Sequence, residues 1–367
     1  MKGELLFIGV IAIFIAILGL VAIYSSTYHQ TERVNRQVFY RQIIWISLGL
    51  ALFFVFANFN YRRLADFVYP LYIFALILLI AVWALGAVRL GAQRWLRFAW
   101  FNFQPSEFAK IVTVIFLSWY FSRRSSDDLS LSVRKKGPFW GVVTPLSFIA
   151  VFIILIMEQP DLGSAILLFF IFMFMAYVAG LRLRYVLGFV LVGIVFLPIV
   201  WCILRDYQRQ RLIVFLNPNI DPLGAGYTII QSQIALGAGG LFGRGLLSGT
   251  QSQLHFLPES HTDFIFANFA ESWGFAGCLV LLSMYYLLFR KGFEIAFRTT
   301  ESFGRLLAYG ITFMLAIQTL VNISMNLGLA PVVGIPLPLM SYGGSSIIVT
   351  FIALGILANI AQIRSMY

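Results

Sequence analysis

The chain is patterned as long, unbroken apolar runs, not as amphipathic stripes. A helix needs about 20 apolar residues to cross a bilayer. Ten runs come near that length: 5–24, 42–57, 68–87, 107–121, 142–157, 162–180, 185–204, 264–289, 305–329 and 343–363. The strands of a closed barrel would alternate polar and apolar positions, and these runs do not. The pattern therefore predicts an all-α polytopic membrane protein with ten transmembrane helices. The first run is longer than a signal-peptide core and no A-x-A site follows it, so it reads as a retained helix. No internal repeat and no low-complexity tract stands out.

The segments between runs differ in kind. Most are short, but 205–262, between spans seven and eight, forms a long loop rich in glycine from Gly224 to Gly249. A loop of that length is usually functional. Within it, Tyr227–Leu236 reads as a short amphipathic helix on the outer leaflet. The uncharged stretch Ala330–Tyr342 carries three prolines in APVVGIPLPLMSY. It is either a segment dipping back to membrane depth or a rigid turn packed on its neighbours.

Composition narrows the class. Hydrophobic residues make up 60 % of the chain and charged residues 11 %, against about 45–50 % and about 25 % in soluble domains. A soluble enzyme, a disordered chain and a secreted disulfide scaffold are excluded. Cys202 and Cys278 lie inside apolar runs without a CxxC partner and read as small core residues. His29, His255 and His261 lack zinc spacing.

The net charge of +11 would suggest nucleic acid in a soluble protein. Here it is first sorted by side of the membrane. With a cytoplasmic N-terminus, the inner side holds Lys2, Arg62, Arg63, Arg123, Arg124, Arg134, Lys135, Lys136, Arg182, Arg184, Arg290, Lys291, Arg298, Arg305 and Arg364. The outer side holds fewer: Arg33, Arg36, Arg41, Arg89, Arg94, Arg97, Arg205, Arg209, Arg211 and Arg244. Both termini are then cytoplasmic and the long loop is extracytoplasmic. The outer set is arginine only. That suits either snorkelling to lipid headgroups or paired grip on phosphate oxygens.

Three acidic clusters lie near the outer ends of spans. Glu107 and Lys110 share a helix face behind Pro105-Ser106 and can pair, as a structural lock or as part of a site. Glu158 and Asp161 flank Pro160 in a tight turn, where Asp161 is favoured as a helix cap. Glu259, His261 and Asp263 converge at the entrance to span eight, with Thr262 in the N-cap position. A carboxylate there could take a proton from a substrate hydroxyl. Deeper, Glu271 lies in span eight, and Gln318, Asn322 and Asn326 form a stripe in span nine. The stripe serves interhelix hydrogen bonding or lines a hydrated cavity.

Several long segments together carry a resemblance: DYQRQR (Asp206–Arg211), DPLGAGYTIIQSQIALGAGG (Asp221–Gly240), GTQSQLHFLPESHTDFIFA (Gly249–Ala267), GAQRWL (Gly91–Leu96), QPSEFAK (Gln104–Lys110), QPDLG (Gln159–Gly163) and PLPLMSYGGSS (Pro336–Ser346). In these the chain resembles the SEDS family, and its elongation branch, RodA, more than its division branch, FtsW. The likeness spans residues 1–367 as a single membrane domain.

The resemblance implies a peptidoglycan glycosyltransferase acting on lipid II at the outer face of the bacterial cytoplasmic membrane. It makes Asp263 the essential carboxylate. It matches Glu107 and Lys110 to paired charges beside a lipid-facing cavity, and Arg94 and Trp95 to an outer-loop motif. In that reaction the 4-hydroxyl of an acceptor GlcNAc attacks C1 of a donor MurNAc with inversion, so one base suffices and Asp263 fills the role. Arg94, Arg209 and Arg211 are candidates to support the leaving pyrophosphate, and Glu259 and His261 candidates to hold substrate. A divalent cation, Mg or Mn, could share the task, but no DxD-type ligand set is present; no organic cofactor is called for. The family works with a class B penicillin-binding protein and other elongation-complex proteins, and the 330–342 loop with spans eight and nine offers docking surfaces. A lipid II flippase and a non-catalytic scaffold are the rival readings. Against the first stands the absence of an inverted repeat or paired broken helices.

Overall fold

A computed structural model describes residues 2–28, 33–89, 92–98, 101–123, 137–185, 206–224, 226–249 and 256–364, with isolated positions between them (187, 188, 191, 195, 202, 204 and 251). It is a helical bundle. In chain order the helices are α1 (Lys2–Thr27), α2 (Arg33–Asn58), α3 (Val68–Leu85), α4 (Pro105–Ser122), α5 (Gly137–Glu158), α6 (Leu162–Val178), α7 (Asp206–Leu216), α8 (Tyr227–Gly239), α9 (Ile265–Arg298), α10 (Ser302–Asn326) and α11 (Gly344–Arg364).

Among the described residues, seven helices are long and apolar enough to cross a membrane. They are α1, α2, α3, α5, α9, α10 and α11. The protein is thus a multi-pass membrane protein. The apolar α6 is shorter, and α4 is buried along nearly its whole length in the middle of the bundle. The seventh expected span, 185–204, lies mostly outside the described residues.

The architecture is not purely helical. Between α3 and α4 runs a small antiparallel sheet, β1 (Ala87–Arg89), β2 (Ala92–Phe98) and β3 (Phe101–Phe103), in the order β1-β2-β3. It pairs Ala87 with Trp95 and Leu96 with Phe103. This corrects the all-α expectation. The segment is dense in Trp and Phe, residues that favour a pleated, half-buried surface.

The helix α9 is also broken. Gly274 has φ +66 inside it, a conformation open to glycine and strained for other residues. The segment 240–245 of the long loop fills the break. Arg244 N and Gly245 N donate to the carbonyls of Glu271 and Ser272 at 2.9 and 3.1 Å. Phe275 N and Ala276 N donate to Gly240 O and Leu241 O at 2.9 and 3.0 Å. Backbone groups freed by a break inside a membrane protein must find partners within the protein, and the loop supplies them.

The second half of the stretch 330–342 packs into the helical bundle, which fits both readings offered for it. Ile335, Leu337, Leu339 and Met340 are all buried. Met340 lies against Gly19, eight residues before the last residue of α1, hence about 12 Å along that helix. Its backbone is satisfied from the surrounding helices: Asn322 Nδ2 donates to Ile335 O at 2.7 Å and Tyr285 Oη to Pro338 O at 2.6 Å. Its first residues, 330–334, remain partly exposed. Cys278 is buried as expected, whereas Cys202 is exposed and is not a core residue.

Candidate active site

The turn that carries Asp263 is organised around one carbonyl. Thr262 N and Phe264 N both donate to Glu259 O, at 3.1 and 3.2 Å. Thr262 Oγ1 donates to the Glu259 carboxylate at 2.9 Å. Thr262 is therefore not the N-cap that the sequence suggests. The helix begins later, at Ile265, and Asp263 is left outside it with its carboxyl uncommitted to capping.

Two asparagines of α10 hold that turn. Asn322 Nδ2 and Asn326 Nδ2 each donate to Asp263 O at 3.0 Å. Asn326 Oδ1 accepts from Ala267 N at 3.1 Å in the first turn of α9. The polar stripe of span nine thus serves interhelix hydrogen bonding, and its target is the backbone of the candidate acid. The far side of the turn is held by the 330–342 segment: Tyr342 N donates to His261 O at 2.9 Å and Ser341 Oγ to Thr262 O at 2.7 Å.

Two guanidinium groups flank the acid. Arg94, on β2, donates through Nη2 to Pro160 O and stands 3.8 Å from Asp161 Oδ1 through Nη1. Arg211, on α7, donates through Nη1 to Val332 O at 3.2 Å. At Gly334 (φ +73), a Cβ would lie 3.5 Å from both Arg94 Nη1 and Asp263 Oδ2. The acid and the guanidinium therefore both border the space left by a residue without a side chain. Burial, and then the charge of Glu259, push the Asp263 carboxyl up to about 6, against the pull of Arg94 and Arg211. Burial lowers the neighbouring His261, with Glu259 opposing it. The imidazole is therefore neutral at pH 7.

Asp161 links this site to α4. Its carboxylate accepts from Ser164 N at 3.2 Å and Ser164 Oγ at 2.8 Å, the N-cap geometry expected of it. It also accepts from Ser106 Oγ and Gln104 Nε2, each at 3.3 Å. One turn further along α4, Lys110 Nζ and Glu107 Oε1 form a buried pair at 2.7 Å.

The structure thus brings Arg94, Arg211, Glu259 and Asp263 together, with His261 on the same turn. Trp95 follows Arg94 in β2 and, by strand alternation, faces the other side of the hairpin. Glu107 and Lys110 face each other, and their helix touches the site through Ser106 and Asp161. Arg209 turns back on its own segment, donating to Cys202 O at 2.8 Å and lying 3.8 Å from Asp206. Asn322, Asn326 and Gly334 are residues whose part in this site sequence reasoning missed. Among the described residues, no three His, Cys, Asp or Glu side chains converge as metal ligands. A divalent cation would take one or two carboxylates here and fill its shell from water and substrate oxygens, the usual manner of Mg²⁺ at phosphates.

Fold and site together define a polytopic membrane protein with an aspartate set between two arginines at one end of its helices. The cell cycle protein family FtsW/RodA/SpoVE matches residues 5–366, and the chain belongs to that family, the SEDS proteins. It is 44 % identical over 329 residues to the peptidoglycan glycosyltransferase MrdB of Escherichia coli K12, covering 89 % of this chain and 86 % of that protein. It is 36 % identical to a probable peptidoglycan glycosyltransferase FtsW of Geobacter metallireducens, covering 95 % and 92 %. Among solved structures, a chain of a peptidoglycan synthase complex that coordinates polymerization and crosslinking matches with a TM-score of 0.82 at 31 % identity, covering 98 % of each chain. The rod shape determining protein RodA of Thermus thermophilus matches with a TM-score of 0.71 at 30 % identity, covering 98 % and 97 %.

Proposed function

We propose that the protein is a peptidoglycan glycosyltransferase that polymerises lipid II into β-1,4 glycan strands during cell elongation, at the outer face of the bacterial cytoplasmic membrane. The observation that carries the chemistry is the Asp263 carboxyl, partly buried and flanked by Arg94 and Arg211. Asp263 takes the proton of the acceptor 4-hydroxyl as that oxygen bonds to C1 of the donor. The C1–oxygen bond to the pyrophosphate breaks on the opposite side, with inversion. Arg94 and Arg211 oppose the charge that develops on the leaving group. A carboxyl near pH 6 is mostly ionised at neutral pH yet more basic than a solvated aspartate, which suits a general base. Holding both lipid-linked sugars in register supplies much of the rate, roughly 7–11 kcal/mol at best.

We read the chain as one SEDS-type membrane domain with ten spans and both termini in the cytoplasm. In support, Glu4 of α1 pairs with Lys291 of α9 at 3.1 Å and Arg62 pairs with Glu301 at 2.8 Å. Lys291 lies far along α9 from Asp263, so basic residues gather away from the site, in keeping with positive charge on the inner side. A class B penicillin-binding protein is the partner. The exposed face of α9, including Phe275, Leu279 and Tyr286, offers it a surface within the membrane.

The test is polymer formation by the purified protein with its partner, given lipid II in detergent. Wild type makes glycan ladders and Asp263→Ala makes none. Ladders from Asp263→Ala would overturn the assignment. Lipid translocation in liposomes that survives the substitution, without polymer from wild type, would favour a flippase.

A further inference from the structure

We propose that Glu271 is a positioning residue for this reaction, acting on Asp263 through the far end of the glycine-rich loop; the inference rests on the glycosyltransferase reading above. Glu271 is completely buried in α9, eight residues past Asp263. A carboxylate within a membrane span is costly and calls for a function. This one plays no part in the proton transfer. It fastens a peptide.

Glu271 Oε1 accepts from Gln251 N at 2.8 Å. The same peptide segment is tied on its other side, for Gln251 O accepts from Leu257 N at 3.1 Å. Leu257 is buried with Ala235, Phe264 and Ala267 in a small apolar cluster apart from the main core. Phe264 is the residue after Asp263. Each link is short: carboxylate to Gln251, Gln251 to Leu257, Leu257 to the turn that bears the acid. The loop also packs tightly at this point, since a Cβ on Gly249 would fall 2.7 Å from Glu271 Oε2.

The chemistry requires an acceptor here. Leu257 is buried and the Gln251 amide is half-buried where they approach α9, and an unanswered N–H there is expensive. A side chain long enough to leave the helix and accept a backbone N–H meets the need. Asparagine-clamped on its α10 side and buttressed by Leu257 on its loop side, the Asp263 turn has one arrangement. With the Glu271 tie removed, the Gln251–Leu257 contact loses its hold on α9, while the α10 clamp, the Ser341 and Tyr342 bonds and the 240–245 pairing remain. The expected result is a folded enzyme with a mispositioned base.

The experiment compares Glu271→Leu, Glu271→Gln and Gly249→Ala in the full-length protein purified with its partner, with steady-state polymerisation of lipid II as the readout. A shift near 1 Å of a catalytic group costs about 100-fold, so Glu271→Leu is expected to lower kcat by roughly 10- to 100-fold with little change in KM. Glutamine keeps an oxygen that accepts the same N–H, and Glu271→Gln is expected to restore kcat to within about threefold of wild type. Gly249→Ala alters no charged group and presses on the same carboxylate, so it is expected to lower kcat in the same direction. A monodisperse Glu271→Leu protein with wild-type kcat overturns the proposal, and so does a Glu271→Gln variant as slow as Glu271→Leu. Should Glu271→Leu fail to fold, Gly249→Ala decides: wild-type kcat there overturns the proposal. Asp263→Ala, run in parallel, separates the two claims, because its activity bears on the catalytic assignment and is independent of the Glu271 series.

Discussion

Removing the positive charge of Arg94 is expected to move the acid limb of the pH–rate profile upward. In wild type that limb reports Asp263, whose carboxyl stands near pH 6. A general base works deprotonated, so the rate should halve near pH 6 and fall about tenfold for each further unit of acid. Arg94 Nη1 and Asp263 Oδ2 each lie 3.5 Å from the same point above Gly334, so they are no more than about 7 Å apart. At that distance one charge pair is worth about 2.4 kcal/mol at an effective dielectric of 20 and about 0.6 kcal/mol in water. For a partly covered carboxyl, about 1.4 kcal/mol, or one pH unit, is a reasonable middle. Arg94→Gln should therefore place the limb near pH 7. The ionised fraction would then drop about threefold at pH 6.5 and hardly change at pH 8. Arg94→Lys keeps the charge and should keep the limb. Any deficit of Arg94→Gln that persists at pH 8 measures its other duties, at the Pro160 carbonyl and at the leaving group. The assay is the initial rate of glycan formation at lipid II well below KM from pH 5 to 9, so that the profile follows kcat/KM and the free enzyme. A limb that stays at or below the wild-type position in Arg94→Gln refutes the electrostatic reading.

Three further outcomes follow from single contacts. Lys110→Met strands the buried Glu107 carboxylate, at a cost of about 3–5 kcal/mol, and should lower the thermal midpoint in detergent by several degrees. Glu107→Gln with Lys110→Met together should recover much of it, and no recovery would mean that the pair is not the source of the loss. Gly334→Ala forces a left-handed backbone on a residue with a Cβ, worth about 1–2 kcal/mol, and puts a methyl group between acid and guanidinium. Polymerisation should fall well beyond what the midpoint shift explains, and wild-type rates would show that nothing passes through that gap. Arg211→Ala should lose activity severely while Arg209→Ala stays within about threefold, as exposed ion pairs contribute little; equal losses would contradict the placement of Arg209.

The helices were legible in the sequence because each is written in its own residues. The runs 107–121 and 305–329 became α4 and α10 with ends shifted by only a few positions. The cap at Asp161 was likewise a local matter, since its partner Ser164 is three residues away. What escaped were contacts between residues far apart in the chain that leave no periodic trace. Asn322 and Asn326 showed as a stripe, but nothing in their spacing said that both would grasp the carbonyl of Asp263, some sixty residues earlier. The break at Gly274 was invisible for the same reason: a lone glycine in an apolar run marks a break only once the 240–245 backbone is known to fill it. Thr262 misled in the opposite direction. It has cap chemistry, but its hydroxyl is taken by Glu259, and the helix start retreats to Ile265. That displacement has a chemical consequence. Had Thr262 capped the helix, Asp263 would have sat in the first turn, its charge answered by backbone amides and its basicity lowered. Left outside the helix and answered only by the guanidinium groups opposite, the carboxyl keeps the raised affinity for a proton that a base needs.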